Sequence, residues 1–362
     1  MAGIPARRGA PAREQAMDAD RLAGLRARFA ASGGAETEDP LFRRIIASQF
    51  QGDRRAWPFA GIATFCGAPL APDPFAARPE IGLIGVPMDL GVTNRAGARL
   101  GPRAIRAVER IGPYEPALHM APLTEARVAD IGDVPMASRF SLPGCHADIE
   151  AHFAALRAAG IRTVAAGGDH SISLPILKAL GAGRPLGMVH IDAHADTGGE
   201  YEGSRFHHGG PFRQAVLAGV LDPDRTIQIG IRGGAGYLWE FSTAAGMTLL
   251  PMHEVATLGI PAVLARARQV ATGPVYVSFD VDAVDPGFAP GTGTPEVGGL
   301  TPLQVLELLR GLDGLDVVGG DVVEVAPQYD ASTATAQIGA QVMFQLVCLL
   351  VRAPSFRYRE AG

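Results

Sequence analysis

Lysine is almost missing from this chain. Lys178 is the only one among 362 residues, although arginine is plentiful. We read the imbalance as compositional bias. It still argues against chemistry that starts from an imine on a lysine amine. Cysteine is scarce too: Cys66, Cys145 and Cys348 are odd in number and far apart. That spacing offers neither a disulfide framework nor a zinc knuckle, and it fits a reducing cytoplasm. A basic excess is also lacking. The formal net charge is -5, so no broad cationic face invites nucleic acid. No apolar run reaches the length of a membrane span, even at residues 342–351. The arginines near the N-terminus are not followed by the apolar segment of a secretory signal.

Hydrophobic residues make up 47% and charged residues 19%, enough for a large buried core in one big α/β domain or two ordinary ones. Residues 1–17, rich in Ala, Arg, Gly and Pro, read as a disordered N-terminal segment. Residues 18–75 read as an N-terminal arm. In it Asp18 or Asp20 caps a helix that carries Leu22, Leu25 and Phe29 on one face and stops at Gly33-Gly34. From about residue 80 to 351 apolar strands alternate with helices, and no linker or repeat interrupts them. Residues 76–355 are therefore expected to form one three-layer α-β-α domain on a mostly parallel sheet.

The most informative stretch is Val-His-Ile-Asp-Ala-His-Ala-Asp-Thr at 189–197. An apolar strand, 186–191, runs into Asp192, His194 and Asp196 at every second position. Alternate side chains of an extended chain point the same way. Two anions that close are costly to desolvate unless a cation lies between them. Two other strand ends carry similar groups. The strand 162–166 runs into Gly-Gly-Asp-His-Ser, with His170. The strand 274–279 ends in Asp280 and Asp282. The latter is not a calcium loop of the EF-hand type, because the glycine and glutamate at its sixth and twelfth positions are missing. Strand ends share a crevice in such sheets. Four carboxylates and two imidazoles would meet there, and four negative charges match two divalent cations. A donor set of oxygen with some imidazole and no thiolate favours Mn²⁺, with Ni²⁺, Co²⁺ or Fe²⁺ also compatible. A pair of ions about 3.5 Å apart can activate water near neutral pH. The site by itself therefore predicts hydrolysis without naming the bond.

Gly167-Gly-Asp-His-Ser171, Asp192-Ala-His-Ala-Asp196 and Ser278-Phe-Asp-Val-Asp-Ala-Val-Asp-Pro286 resemble the three metal motifs of the ureohydrolase family, which includes arginase and agmatinase. Residues 289–295 (Ala-Pro-Gly-Thr-Gly-Thr-Pro), 93–103 and 321–327 resemble its agmatinase branch. The resemblance runs from about residue 61 to 351. It implies an arginase-like fold and hydrolysis of agmatine, or a related small guanidine, to urea and an amine by a metal-bridging hydroxide. It implies that His170, Asp192, Asp196 and Asp280 hold one Mn²⁺, and that Asp192, His194, Asp280 and Asp282 hold the other, with Ni²⁺ as the runner-up. Asp192 and Asp280 would bridge the two, and Asp196 would also orient the nucleophile. His208 would shuttle a proton to the leaving amine, and Glu324 would pair with the guanidinium. Residues 198–202 lie where substrate tails are read in the family, which makes Tyr201, with Glu200 and Glu202, a candidate tail contact. His208-Gly-Gly210 departs from the usual His-Gly-Thr. That leaves guanidinobutyrate, guanidinopropionate, free guanidine and biguanides as alternative substrates. A homo-oligomer, trimer or hexamer, is also implied. Outside this class stand an arginase-fold deacetylase and a non-catalytic regulatory subunit.

Overall fold

Short apolar runs buried on both faces make the sheet. The strands are β1 (Ile81–Val86), β2 (Val128–Asp133), β3 (Arg162–Gly167), β4 (Leu186–Ile191), β5 (Leu221–Ile231), β6 (Thr248–Pro251), β7 (Pro274–Asp280) and β8 (Asp316–Val323). They lie in the order β2-β1-β3-β8-β7-β4-β5-β6, and every pairing is parallel. The computed structural model describes residues 18–30, 37, 39–51, 54–55, 57–109, 111–234 and 236–356. The segment 1–17, expected to be disordered, and Gly33-Gly34 lie outside the described residues.

Side chains alternate between two cores, as the two-residue period of a strand requires. Leu83, Val164, Ala166, Val189, Ile191, Val277 and Phe279 face one core, shared with the helices Ile260–Val270, Pro302–Gly311 and Ala334–Arg352. Ile84, Ala165, Met188 and Tyr276 face the other, shared with Leu142–Ala158, Ser173–Gly181 and Pro211–Leu217. The result is helix, sheet, helix. The helix Ala334–Arg352 corrects one expectation. At 19 residues it is long and apolar enough to cross a membrane, but 78% of its apolar window is buried inside the protein, where it forms the centre of the first core.

The chain separates into two compact units, Met1–Arg55 and Ala56–Gly362. Residues 56–75, assigned to the arm from sequence, belong to the larger unit. There Phe65 is fully buried and its amide donates to Asp130 at 3.0 Å. In the smaller unit Asp18 caps the helix Ala19–Phe29, Asp39 caps a second helix, Pro40–Ser48, and residues 50–51 pair antiparallel with 54–55.

The connection from β3 to β4 sets the position of the site. These strands are consecutive in the chain, yet β8 and β7 lie between them. The carboxyl ends of β3, β8, β7 and β4 therefore open on one crevice at the place where the winding changes direction.

Candidate metal centre

Each strand end delivers its side chains by a tight turn. After β3, Gly168 sits at φ +28°, where a Cβ would lie 2.3 Å from the Met88 carbonyl oxygen. Asp169 then caps the turn His170–Ile172 by accepting from the Ser171 amide. After β4 the chain is no longer extended. The Asp192 carboxylate accepts the His194 amide at 2.5 Å, and Asp196 adopts φ +50°. Asp192, His194 and Asp196 do converge, but through this turn and not by the strand alternation expected from sequence. β7 uses the same device: Asp280 accepts the Asp282 amide at 2.8 Å.

The convergence is close. His170 Nδ1 lies 3.1 Å from Asp192 Oδ2, 2.9 Å from Asp196 Oδ2 and 3.3 Å from Asp280 Oδ2. His194 Nδ1 lies 3.1 Å from Asp282 Oδ2 and 3.5 Å from Asp192 Oδ1. Asp192 thus stands between a His170 group and a His194 group, the position of a bridging ligand. Burial works against a proton on His170, yet the facing carboxylates hold it well above the ordinary imidazole range. Burial, then Asp282 and Asp192, push Asp280 well above the carboxylate range. The pocket resists so much uncompensated negative charge.

Hydrogen bonding tests whether the charge is meant for a cation. Asp321 is fully buried and accepts from Ser278 Oγ at 2.7 Å, Tyr276 OH at 2.8 Å and Ser173 Oγ at 2.5 Å. Ser278 Oγ spends its proton on Asp321, so at 2.8 Å it accepts from His170 Nε2. When a cation takes the place of the proton that these carboxylates otherwise hold on the ring, the ring is neutral and its Nδ1 is a lone pair. It makes no hydrogen bond, and it faces three carboxylates. A bare nitrogen lone pair surrounded by anionic oxygens fits a divalent cation and little else. Ser278→Ala should therefore lower affinity for the ion at His170 by ~10–100-fold, the usual effect of losing such a supporting bond. Metal titration against a competing chelator measures it; unchanged affinity would refute the tautomer argument.

Sequence alone missed His190, although it continues the every-second-residue spacing backwards from Asp192. Its Nε2 lies 2.7 Å from Asp192 Oδ2 and its Nδ1 lies 3.0 Å from Gln228 Nε2. It groups with His170 and Asp192 closely enough to count as a ligand. Both ring nitrogens are already engaged, however, so its role is to orient the Asp192 carboxylate.

His208 and Glu324 meet beside the cluster, with His208 Nδ1 2.8 Å from Glu324 Oε1. The same Oε1 accepts the His170 amide at 2.8 Å. Glu324, just past the end of β8, holds φ +63°, the kind of backbone strain that collects at functional sites. Its Oε2 is buried without a hydrogen-bond partner. Burial opposes a proton on His208, but Glu324, Asp196 and Asp169 outweigh it and lift the ring to about 9. A cavity of about 230 Å³ opens over this assembly, lined by Thr93, His194, Asp196, His208, Asp280 and Thr294, with Leu238 and Trp239 also in its wall. Tyr201 is not in the lining. It is half exposed, with its ring beside His207 at 5.9 Å between centroids. Glu200 and Glu202 are exposed as well. The extra His207 is tied to the Gly199 carbonyl at 2.6 Å.

Residues 79–348 match the arginase family. The chain belongs to that family. Among its relatives is a guanidinopropionase of Pseudomonas aeruginosa, 50% identical over 300 residues, covering 82% of this chain and 93% of the relative. A mitochondrial agmatinase of Gallus gallus is 42% identical, covering 75% of this chain and 81% of the relative. Among solved structures, the proclavaminate amidino hydrolase of Streptomyces clavuligerus superposes with a TM-score of 0.77 at 35% identity, over 82% of this chain and 99% of that one. The expected arginase-like three-layer fold is thereby established, with the sheet parallel throughout. Arginase-family enzymes depend on a binuclear metal centre, and this chain gathers two groups of His and Asp donors that could each hold an ion.

Proposed function

We propose that this arginase-family hydrolase cleaves a short ω-guanidino acid to urea and an amino acid. The observation that carries it is the unpaired, buried Glu324 Oε2 beside the six gathered donors. A planar guanidinium forms strong paired bonds with a carboxylate that has room to accept them. The cavity wall disfavours a cationic tail. Among the described residues, its only carboxylates are Asp196 and Asp280, both assigned to metal, and its only arginine, Arg232, is spent on backbone carbonyls. A cationic tail such as that of agmatine finds no free carboxylate there. The guanidinopropionase at 50% identity, and a guanidinobutyrase of the same organism at 42%, support the same choice.

Two divalent ions held by His170, Asp192, His194, Asp196, Asp280 and Asp282 would supply Lewis acidity and a nucleophile made from water near neutral pH. The chain's own groups do the rest. Glu324 holds the guanidinium, Asp196 orients the attacking water, and His208 delivers a proton to the departing amine. Donor chemistry supports Mn²⁺ over Ni²⁺. That all six donors are present and assembled weighs against a one-ion deacetylase and against a non-catalytic subunit. The free thiols support a cytoplasmic location, and family membership supports a trimer or hexamer, which light scattering would size.

Urea release from 3-guanidinopropionate, 4-guanidinobutyrate, agmatine and arginine, with Mn²⁺ and then Ni²⁺ loaded, tests the reading. We expect kcat/KM at least ~10-fold higher for an acid tail than for agmatine, since one well-placed tail interaction is worth ~1.4 kcal/mol or more. A preference for agmatine would overturn the tail assignment.

A further inference from the structure

His208 has no nitrogen free to reach a substrate. Its Nδ1 faces the Glu324 carboxylate, which can only accept, so Nδ1 carries a hydrogen. Its Nε2 is covered by Thr93, whose amide nitrogen lies at 3.1 Å and whose Oγ1 lies at 2.7 Å. A backbone N–H can donate to Nε2 but cannot take a proton from it. The hydroxyl can do both. Thr93 and His208 both line the cavity.

The surrounding chain is built to hold this contact. The His208 amide donates to the Gly91 carbonyl at 2.8 Å, and the Gly91 amide donates to buried Asp169 at 2.7 Å. A Cβ on Gly91 would lie 2.8 Å from Ser171 Oγ and 3.0 Å from the Phe206 carbonyl oxygen, both inside van der Waals contact. The loop after β1 is therefore gripped at Gly91, two residues before Thr93, and its register against His208 is fixed. The charged groups facing the ring are Glu324, Asp196 and Asp169. All are carboxyl groups, and none sits between Nε2 and the cavity by any contact the structure records.

We propose that the Thr93 hydroxyl is the last link in proton delivery, relaying the proton of His208 to the departing nitrogen. This rests on the reading of the chain as a guanidino hydrolase. As the C–N bond breaks, its electron pair goes to the amine nitrogen. The Thr93 Oγ–H proton moves to that nitrogen, and the proton on His208 Nε2 moves to Thr93 Oγ. Threonine is restored and His208 returns to its neutral form. The water consumed by hydrolysis recharges His208 Nε2 through the same Thr93 hydroxyl, so the step balances. The Thr93 amide, aimed at Nε2, works against the carboxylates that hold the proton on the ring and so eases its departure.

The test compares Thr93→Val, which keeps the shape and the amide but removes the hydroxyl, with Thr93→Ser, which keeps the hydroxyl. Kinetics, bound metal, melting temperature and rates in H₂O/D₂O mixtures are measured on each loaded enzyme. We expect Thr93→Val to lower kcat by ~10²-fold or more, within the range of one lost general-acid contribution. KM and metal content should stay close to wild type, and Thr93→Ser should recover most of kcat. The rate against deuterium fraction should be bowed for wild type, with two protons in flight, and straight for Thr93→Val. Wild-type kcat in Thr93→Val would overturn the relay. So would a loss of kcat accompanied by loss of metal or of fold, if Thr93→Ser shared it. A wild-type enzyme that releases urea from no guanidino compound would overturn the functional reading and the relay together.

Discussion

Replacing His194 with alanine is expected to abolish urea release while leaving the protein folded. His194 is a quarter exposed, at the mouth of the crevice, and contributes to neither hydrophobic core. Its loss leaves a small gap open to solvent. The shift in Tm should stay below ~4 °C, the size of a ~1 kcal/mol change in a domain this large. Its electrostatic role is different in scale. Asp282 and Asp192 hold its imidazole far above the ordinary range against the effect of burial. A site so dominated by anions is complete only with cations, and His194 contributes the nitrogen donor beside Asp282. Losing one ion forfeits several kcal/mol of transition-state stabilisation, so kcat should fall by ~10³-fold or more. Elemental analysis should find about one metal per chain lost. Substantial turnover with a single ion would remove the binuclear mechanism. Unfolding at room temperature would show instead that His194 carries structure.

Much of this site was legible without coordinates, because the strands that build it are buried on both faces. β1 reads as an uninterrupted apolar run, and β3, β4, β7 and β8 are mostly apolar up to the cluster of polar residues that follows their carboxyl ends. What stayed hidden depends on partners brought together by register. Asp321 looks like an ordinary polar residue inside the last strand. Only the alignment of β8 with β7, which sets Asp321 directly across from Ser278, makes it the support of His170. His190 was hidden for the same reason, since Gln228 stands across from it on β5. The stretch between the Gly loop at 232 and β7 was also opaque. β6 has four residues at the sheet edge and ends in proline, too short to show alternation. The helix Ile260–Val270 interleaves arginines with Ile260, Val263 and Ala267, a period that can be found but that competes with its charge. Tyr201 is a different case. Its position in the chain was suggestive, but a turn closed by Tyr201 and Ser204 leaves its side chain outside the cavity.

Glu324→Gln should cost ~10²-fold in kcat/KM. Glu324 Oε1 is committed to the His170 amide and to His208 Nδ1, and both are donors. The carbonyl of glutamine can serve both, so the substituted side chain is forced to place its NH₂ where Oε2 stood. That NH₂ would then point donors at a guanidinium that has only donors to offer. Two charge-assisted bonds, at ~1.5–3 kcal/mol each, are lost, which accounts for the expected magnitude through the tenfold-per-1.4 kcal/mol relation. A second readout separates substrate binding from mere disturbance. With the charge gone, the proton on His208 loses its principal counterion, so the ring should titrate below the value of about 9 that it holds beside Glu324. A group whose folded-state pKa is raised contributes stability that is fully present below its unfolded value, ~6.5 for histidine, and is lost as pH rises through about 9. The difference in Tm between wild type and Glu324→Gln should therefore be largest near pH 6 and shrink toward pH 10. An unchanged pH dependence alongside a full loss of kcat/KM would assign Glu324 to the substrate alone. An unchanged kcat/KM would mean that the guanidinium is held elsewhere.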